Sequence, residues 1–156
     1  MLKNHKLMIA VMTMAALWAF AMVPMESQAA SETALFKDYQ VAEVRPFEVP
    51  QSVTAPSTEG RVIADEIVIQ IGGYNAKFNL FELVILEGAQ KIPAGKKVLL
   101  VKGTLTAYSP NGICAVHCQF VDKASGQVLL ETDAKGFRFR VASYIAKVIY
   151  QNKVGK

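Results

Sequence analysis

The clearest pattern along the chain is an alternation of apolar and polar positions from Lys97 to Tyr108. Leu99, Val101, Leu105 and Ala107 fall on one side, and Lys102, Thr104 and Thr106 on the other. That period of two predicts a half-buried strand. Ser109-Pro110-Asn111-Gly112 follows, and Asn-Gly accepts the positive φ angles of a tight hairpin turn. Ile113 to Asp122 is then the returning strand, Lys123 to Gly126 a second turn, and Gln127 to Asp133 the third strand of a meander. After Gly136 the spacing changes. Val141, Ile145, Val148 and Ile149 share a helical face over Arg140–Asn152, with Lys147 and Lys153 expected toward solvent.

The earlier part of the chain is less regular. Lys37 to Val49 predicts a strand bounded by Pro46 and Pro50, since proline has no donor for a ladder. Gln51 to Thr58 is a loop in which Ser57 or Thr58 can cap a helix. Val62, Ile63, Ile67 and Ile71 recur at helical spacing, although Ile67-Val68-Ile69-Gln70-Ile71 is also rich enough in β-branched residues for a strand. The helix is preferred, ending at Gly72-Gly73. Phe78 to Leu86 reads as a strand, and Gly88 to Gly95 as a turn-rich connection. The layout implies an α+β fold: a small mixed or antiparallel sheet with a three-strand meander and two helices packed on one face.

Before the domain comes a segment of a different kind. Lys3, His5 and Lys6 precede an uncharged apolar run from Leu7 to Val23; Pro24 follows, and Ser27-Gln28-Ala29 offers small residues at −3 and −1 of a peptidase site. Residues 1–29 therefore read as a secretory signal cut near Ala29, with an uncleaved anchor as the alternative. Residues 30–36 are a flexible lead-in, and residues 37–153 one domain. The expected location is periplasmic or secreted, with no stable membrane anchor after cleavage.

Charge is divided unevenly. Residues 30–90 hold 4 basic and 9 acidic groups, and residues 91–156 hold 11 basic and 3 acidic. In a folded domain the two halves can neutralise each other. Alternatively, Lys91, Lys96, Lys97, Lys102, Lys135, Arg138 and Arg140 form a basic face for an anionic envelope component or another envelope protein. Export argues against nucleic acid. Phe137-Arg138-Phe139-Arg140, if extended, makes an edge strand with both arginines on one side, where they are expected to keep the edge from aggregating; if the edge binds a partner instead, Lys102, Arg138 and Arg140 are the candidate binding residues.

Leu99-Leu100-Val101-Lys102-Gly103-Thr104-Leu105-Thr106-Ala107-Tyr108, with Phe120-Val121-Asp122-Lys123-Ala124-Ser125-Gly126-Gln127-Val128-Leu129, resembles a group of small bacterial envelope proteins. Many of these are lipoproteins, and they are grouped as a domain of unknown function. Its members share a G-x-[IL]-T-x-[YF] strand and an apolar strand ending in D-x-x-[ST]-G. The layout is also similar to the amino-terminal domain of TolB and related envelope-assembly lipoproteins. The resemblance spans about residues 37–150 and implies fold and compartment. It carries no catalytic residues, and this chain departs from many members in lacking a lipid-attachment Cys near the cleavage site.

Chemistry is sparse. Cys114-Ala115-Val116-His117-Cys118 could form a metal or small-ligand site if helical. On a strand, the two thiols share one face and His117 takes the other. The cysteines would also lie about 13 Å apart, too far for a disulfide. Two buried thiols are expected; an intermolecular disulfide is the second reading. His117 is the only histidine after the signal, and Ser109 or Ser143 are its weak nucleophile candidates. Asp65-Glu66 is expected on an exposed helix surface, and Asp122 with Ser125 in turn chemistry. Glu131 and Asp133 share a strand face and make a glycan hydrolase conceivable if both line a cleft. The balance favours a binding or assembly protein, not an enzyme, without a cofactor, and with a homo-oligomer open.

Overall fold

The computed structural model describes residues 34–156. The signal segment and the cleavage site expected near Ala29 lie outside the described residues. Five strands and two helices follow in the order β1 (Val41–Val44), α1 (Glu59–Phe78), β2 (Leu83–Leu86), β3 (Val98–Tyr108), β4 (Ile113–Asp122), β5 (Val128–Phe137) and α2 (Arg138–Val154). The sheet order is β2-β1-β3-β4-β5. β1 is parallel to both neighbours, and β3, β4 and β5 form the antiparallel meander. The expected α+β architecture is the one observed.

The helix side of the sheet holds the main core. Ile63, Ile67 and Ile71 on α1, and Val141, Ile145 and Ile149 on α2, meet Leu99, Val101 and Leu105 of β3 and Cys114, Val116, Cys118 and Phe120 of β4. All of them are essentially inaccessible to solvent. Phe36 joins them, its ring 5.4 Å from that of Phe120 and its amide donating to the Asn152 carbonyl at 2.9 Å. The packed domain thus takes in a residue expected in the lead-in.

The parallel half is covered on both faces. α1 carries the chain from β1 to β2 on one side, as adjacent parallel strands require. Residues 87–97 must then return across β1 to start β3, and with the helices on one face they have the other to cross. This accounts for the burial of Val41, Glu43, Ile85, Leu100 and Val121 away from the helices. The antiparallel half has no such cover.

Several local expectations are corrected. The first strand proper is shorter than Lys37–Val49. Its chain nevertheless stays beside β3 as far as Glu48, whose amide donates to Gly103 and whose carbonyl accepts from Leu105. Gly72-Gly73 does not end α1. The helix continues to Phe78, and Asn79 takes the left-handed cap, while the Asn75 side chain accepts from the Phe81 amide at 2.7 Å. Thr58 stands at the N-cap position but makes no side-chain cap bond. β2 begins only at Leu83, because residues 79–82 form the link from the helix.

The segment Phe137–Arg140 is not extended throughout. β5 runs directly into α2 at Arg138, so Arg138 and Arg140 lie in a helical first turn and do not share a strand face. Lys153 is not a solvated surface residue either. Its ammonium donates to the carbonyls of Phe36, Lys37 and Tyr39, and partial burial lowers its pKa.

Candidate binding face and sheet edge

β4 separates two environments by simple alternation. Cys114, Val116, Cys118 and Phe120 point into the core, and Ala115, His117 and Gln119 point to the face without helices. Both cysteines are free and buried. Burial raises the thiol pKa of Cys118, and for Cys114 the nearby Glu59 charge adds to the same effect. Neither is poised as a thiolate. The Cys114-His117-Cys118 segment is a strand, so its three side chains do not converge on one ion. Among the described residues no group of three or more His, Cys, Asp or Glu side chains is placed to hold a metal.

The open face is organised by register. Thr104, His117 and Asp133 stand in one row across β3, β4 and β5, and Lys102, Gln119 and Glu131 in the next. His117 Nδ1 lies 2.9 Å from Asp133 Oδ1, and its Nε2 lies 3.7 Å from Glu131 Oε1. Gln119 donates to that Glu131 oxygen at 2.6 Å. The hydrogen bond to Asp133 raises the His117 pKa, and the two acids' charges add to it. The imidazole is therefore held by carboxylates on both sides, with no hydroxyl or thiol nucleophile bonded to it among the described residues. Ser109 instead pairs with Asn111 in its own turn. Glu131 and Asp133 stand exposed on a strand, their side chains 50% and 86% accessible, not inside a cleft. The arrangement a glycosidase needs is not assembled from them.

Beside these rows lies a shallow cavity of about 220 Å³, lined by Arg45, Glu48, Lys102, Thr104 and Gln119, among others. Arg45 is held by both oxygens of Glu87, at 2.8 and 2.6 Å. Lys102 has no carboxylate within 4 Å among the described residues.

The three candidate binding residues are not brought together. Lys102 is on the helix-free face, and Arg138 and Arg140 belong to the helix layer. Nor does the broader basic face assemble. Lys96 pairs with Glu82 at 2.5 Å, Lys123 with Glu43, and Arg138 with Glu59 at 3.4 Å. In each pair a cation from the second half meets an acid from the first, so interleaving offsets part of the asymmetry, while Lys91, Lys97, Lys102, Lys135 and Arg140 pair with no acid among the described residues. Glu43 and Glu59 are 3% exposed, and residue-type reasoning missed both as buried acids. The acid within the apolar run Val41-Ala42-Glu43-Val44 was the available signal for the first.

One feature of the sheet does remain unpartnered. β5 is an edge strand ten residues long whose ladder runs only to β4. Among the described residues its backbone makes no hydrogen bonds outward. The opposite edge, β2, is four residues long. β5 presents Glu131, Asp133 and Lys135 on the open face, and on the helix side Thr132 Oγ1 lies 3.2 Å from the Tyr144 hydroxyl.

No protein-family model matches the chain, and no curated protein sequence matches it. Several solved structures share a related layout at low identity. A PelC dodecamer from Paraburkholderia phytofirmans is 12% identical with a TM-score of 0.47, covering 74% of this chain and 89% of that one. A Helicobacter pylori protein described as a homologue of a neuraminyllactose-binding hemagglutinin is 12% identical with a TM-score of 0.44, covering 76% and 90%. A DUF330 protein from Xanthomonas campestris is 6% identical with a TM-score of 0.41, covering 76% and 83%. Likenesses this distant assign neither function nor partner to this chain.

Proposed function

We infer that this chain is an exported, non-catalytic binding or assembly protein of the bacterial cell envelope that docks its partner along the β5 edge. The observation that carries the reading is the length of that edge beside an uncovered polar face. Ten residues of backbone donors and acceptors invite another strand, and proteins that gain nothing from such an edge shorten or cover it. The charges on β5 are of both signs, which suits a defined partner better than indiscriminate pairing. Separation of Lys102 on β3 from Arg138 and Arg140 on α2, with Lys96 and Arg138 already paired to acids, favours the edge over a basic face.

Export rests on the basic start, the apolar run and Ser27-Gln28-Ala29. The non-catalytic reading rests on His117 being tied between two exposed acids. Cell fractionation combined with a photo-crosslinking residue at position 131 or 135, and at position 147 on α2 as control, tests the whole reading. Envelope-fraction adducts from the β5 positions and none from 147 are expected. Retention in the cytoplasm, or adducts from 147 alone, would overturn it.

A further inference from the structure

We propose that the strand docking on β5 is β5 of a second copy, paired antiparallel about a two-fold axis at Ala134. This inference rests on the edge reading above and names its partner. A self-paired β5 allows only certain registers. Directly opposed residues in an antiparallel pair share a face, so the axis must pass through a residue position and pair even with even and odd with odd. On the open face this strand carries Glu131, Asp133 and Lys135.

An axis at Thr132 sets Glu131 against Asp133 of the other copy, acid on acid. At Asp133 the axis pairs Glu131 with Lys135 on both sides but opposes Asp133 to itself at the centre, and at Lys135 it opposes lysine to lysine, so only an axis at Ala134 gives opposite pairs with no like-charge contact. Centred on Ala134, Asp133 faces Lys135 of the second copy, and symmetry repeats the pair on the other side of the axis. Opposite charges directly across a ladder stabilise it and like charges destabilise it. The pattern therefore selects one register among these neighbours, with the ladder running from Glu131 to Phe137.

A second observation points the same way. A two-fold normal to the sheet keeps the helices of both copies on one side and makes the interface isologous. α2 packs over β4 and β5. Tyr144 reaches the edge, where its hydroxyl meets Thr132, yet its residue surface is 46% exposed. Thr132 lies two positions from the axis, so the two Tyr144 side chains come to flank it. A ring half-exposed beside an open edge is then covered by the neighbouring copy.

A charge-swap cycle on the natively processed protein tests this, with dissociation constants from analytical ultracentrifugation across a wide concentration range. The wild type is expected to dimerise. Asp133→Lys or Lys135→Asp alone creates two like-charge contacts per dimer and is expected to weaken association about tenfold or more. The double variant restores both pairs in reverse and returns the constant close to wild type. Both positions are exposed, and circular dichroism spectra of the variants that match the wild type at concentrations where all are monomeric exclude misfolding as the cause.

A wild type monomeric throughout, or a double variant as weak as the singles, would overturn the proposal. A monomer whose β5 positions crosslink to a different envelope protein would overturn self-pairing and leave the edge reading standing. Absence of any β5 adduct would remove both.

Discussion

The two faces of β4 come from one run of residues and obey opposite rules. Toward the helices, Cys114, Val116, Cys118 and Phe120 are at most 1% exposed and belong to one buried cluster with residues of α1 and α2. Toward the other side, His117 keeps 38% of its side chain accessible and spends its nitrogens on Asp133 and Glu131. The first face specifies the fold by shape. The second contributes little to stability, since exposed ion pairs are worth under about 1 kcal/mol, and so is free to serve recognition. The residues that draw the eye as chemistry, the cysteines, belong to structure. Those that read as a solvated edge make up the accessible surface.

The sharpest way to break this contrast is truncation on adjacent positions. Phe120→Ala should cost about 3–5 kcal/mol in chemical denaturation, because the cavity lies between the sheet and Phe36. Gln119→Ala, one residue away, should stay within about 0.5 kcal/mol. Similar costs at the two positions would mean the open face is covered in the folded protein.

Glycines give an intermediate effect with a change of sign. A Cβ on Gly103 would lie 2.4 Å from the His117 carbonyl oxygen and from the Phe47 ring, so Gly103→Ala should lose about 1–3 kcal/mol. At Gly72, inside α1, a Cβ meets nothing within 4 Å, and Gly72→Ala should gain about 0.5–1 kcal/mol from helix propensity. Thermal melts of the two variants should therefore move in opposite directions.

The smallest effect sits on the open face. Asp133 raises the folded-state pKa of His117 above its ordinary value of 6.5. Its stabilisation is thus complete below about pH 6.5 and is lost as pH rises through the raised folded value. The amount should be under about 1 kcal/mol, given the exposure of both groups. Denaturation at several pH values should show it in the wild type and not in Asp133→Asn. NMR titration should show the His117 pKa falling in the same variant.

The antiparallel half was readable from sequence because, beyond Leu100 and Val121, its strands have one buried and one wet face, which imprints alternation on Val101–Leu105 and Cys114–Phe120. β1 and β2 are covered on both sides, so Val41–Val44 and Leu83–Leu86 carry no period of two and their extents were overdrawn. Gly72-Gly73 misled because packing of Ile71 and Tyr74 carries the helix past a weak local preference. The direct passage from β5 to α2 leaves no loop, and Phe137 at the N-cap position supplies no side-chain cap, so no start signal marked Arg138. The His117–Asp133–Glu131 grouping depends on the β4–β5 register, and Arg138–Glu59 on how α2 meets α1. Neither relation is local in sequence.

Hydrogen exchange resolved by peptide most directly tests the claim that β5 is the docking edge. Protein isolated with its partner, or concentrated if the partner is a second copy, would be compared with dissociated monomer. Docking at this edge predicts slowed exchange confined to Val128–Phe137 and the adjoining start of α2, with Leu83–Leu86 at the far edge unchanged. Protection gained at β2 or on the outer helix surface, with β5 exchanging as it does in the monomer, would contradict it.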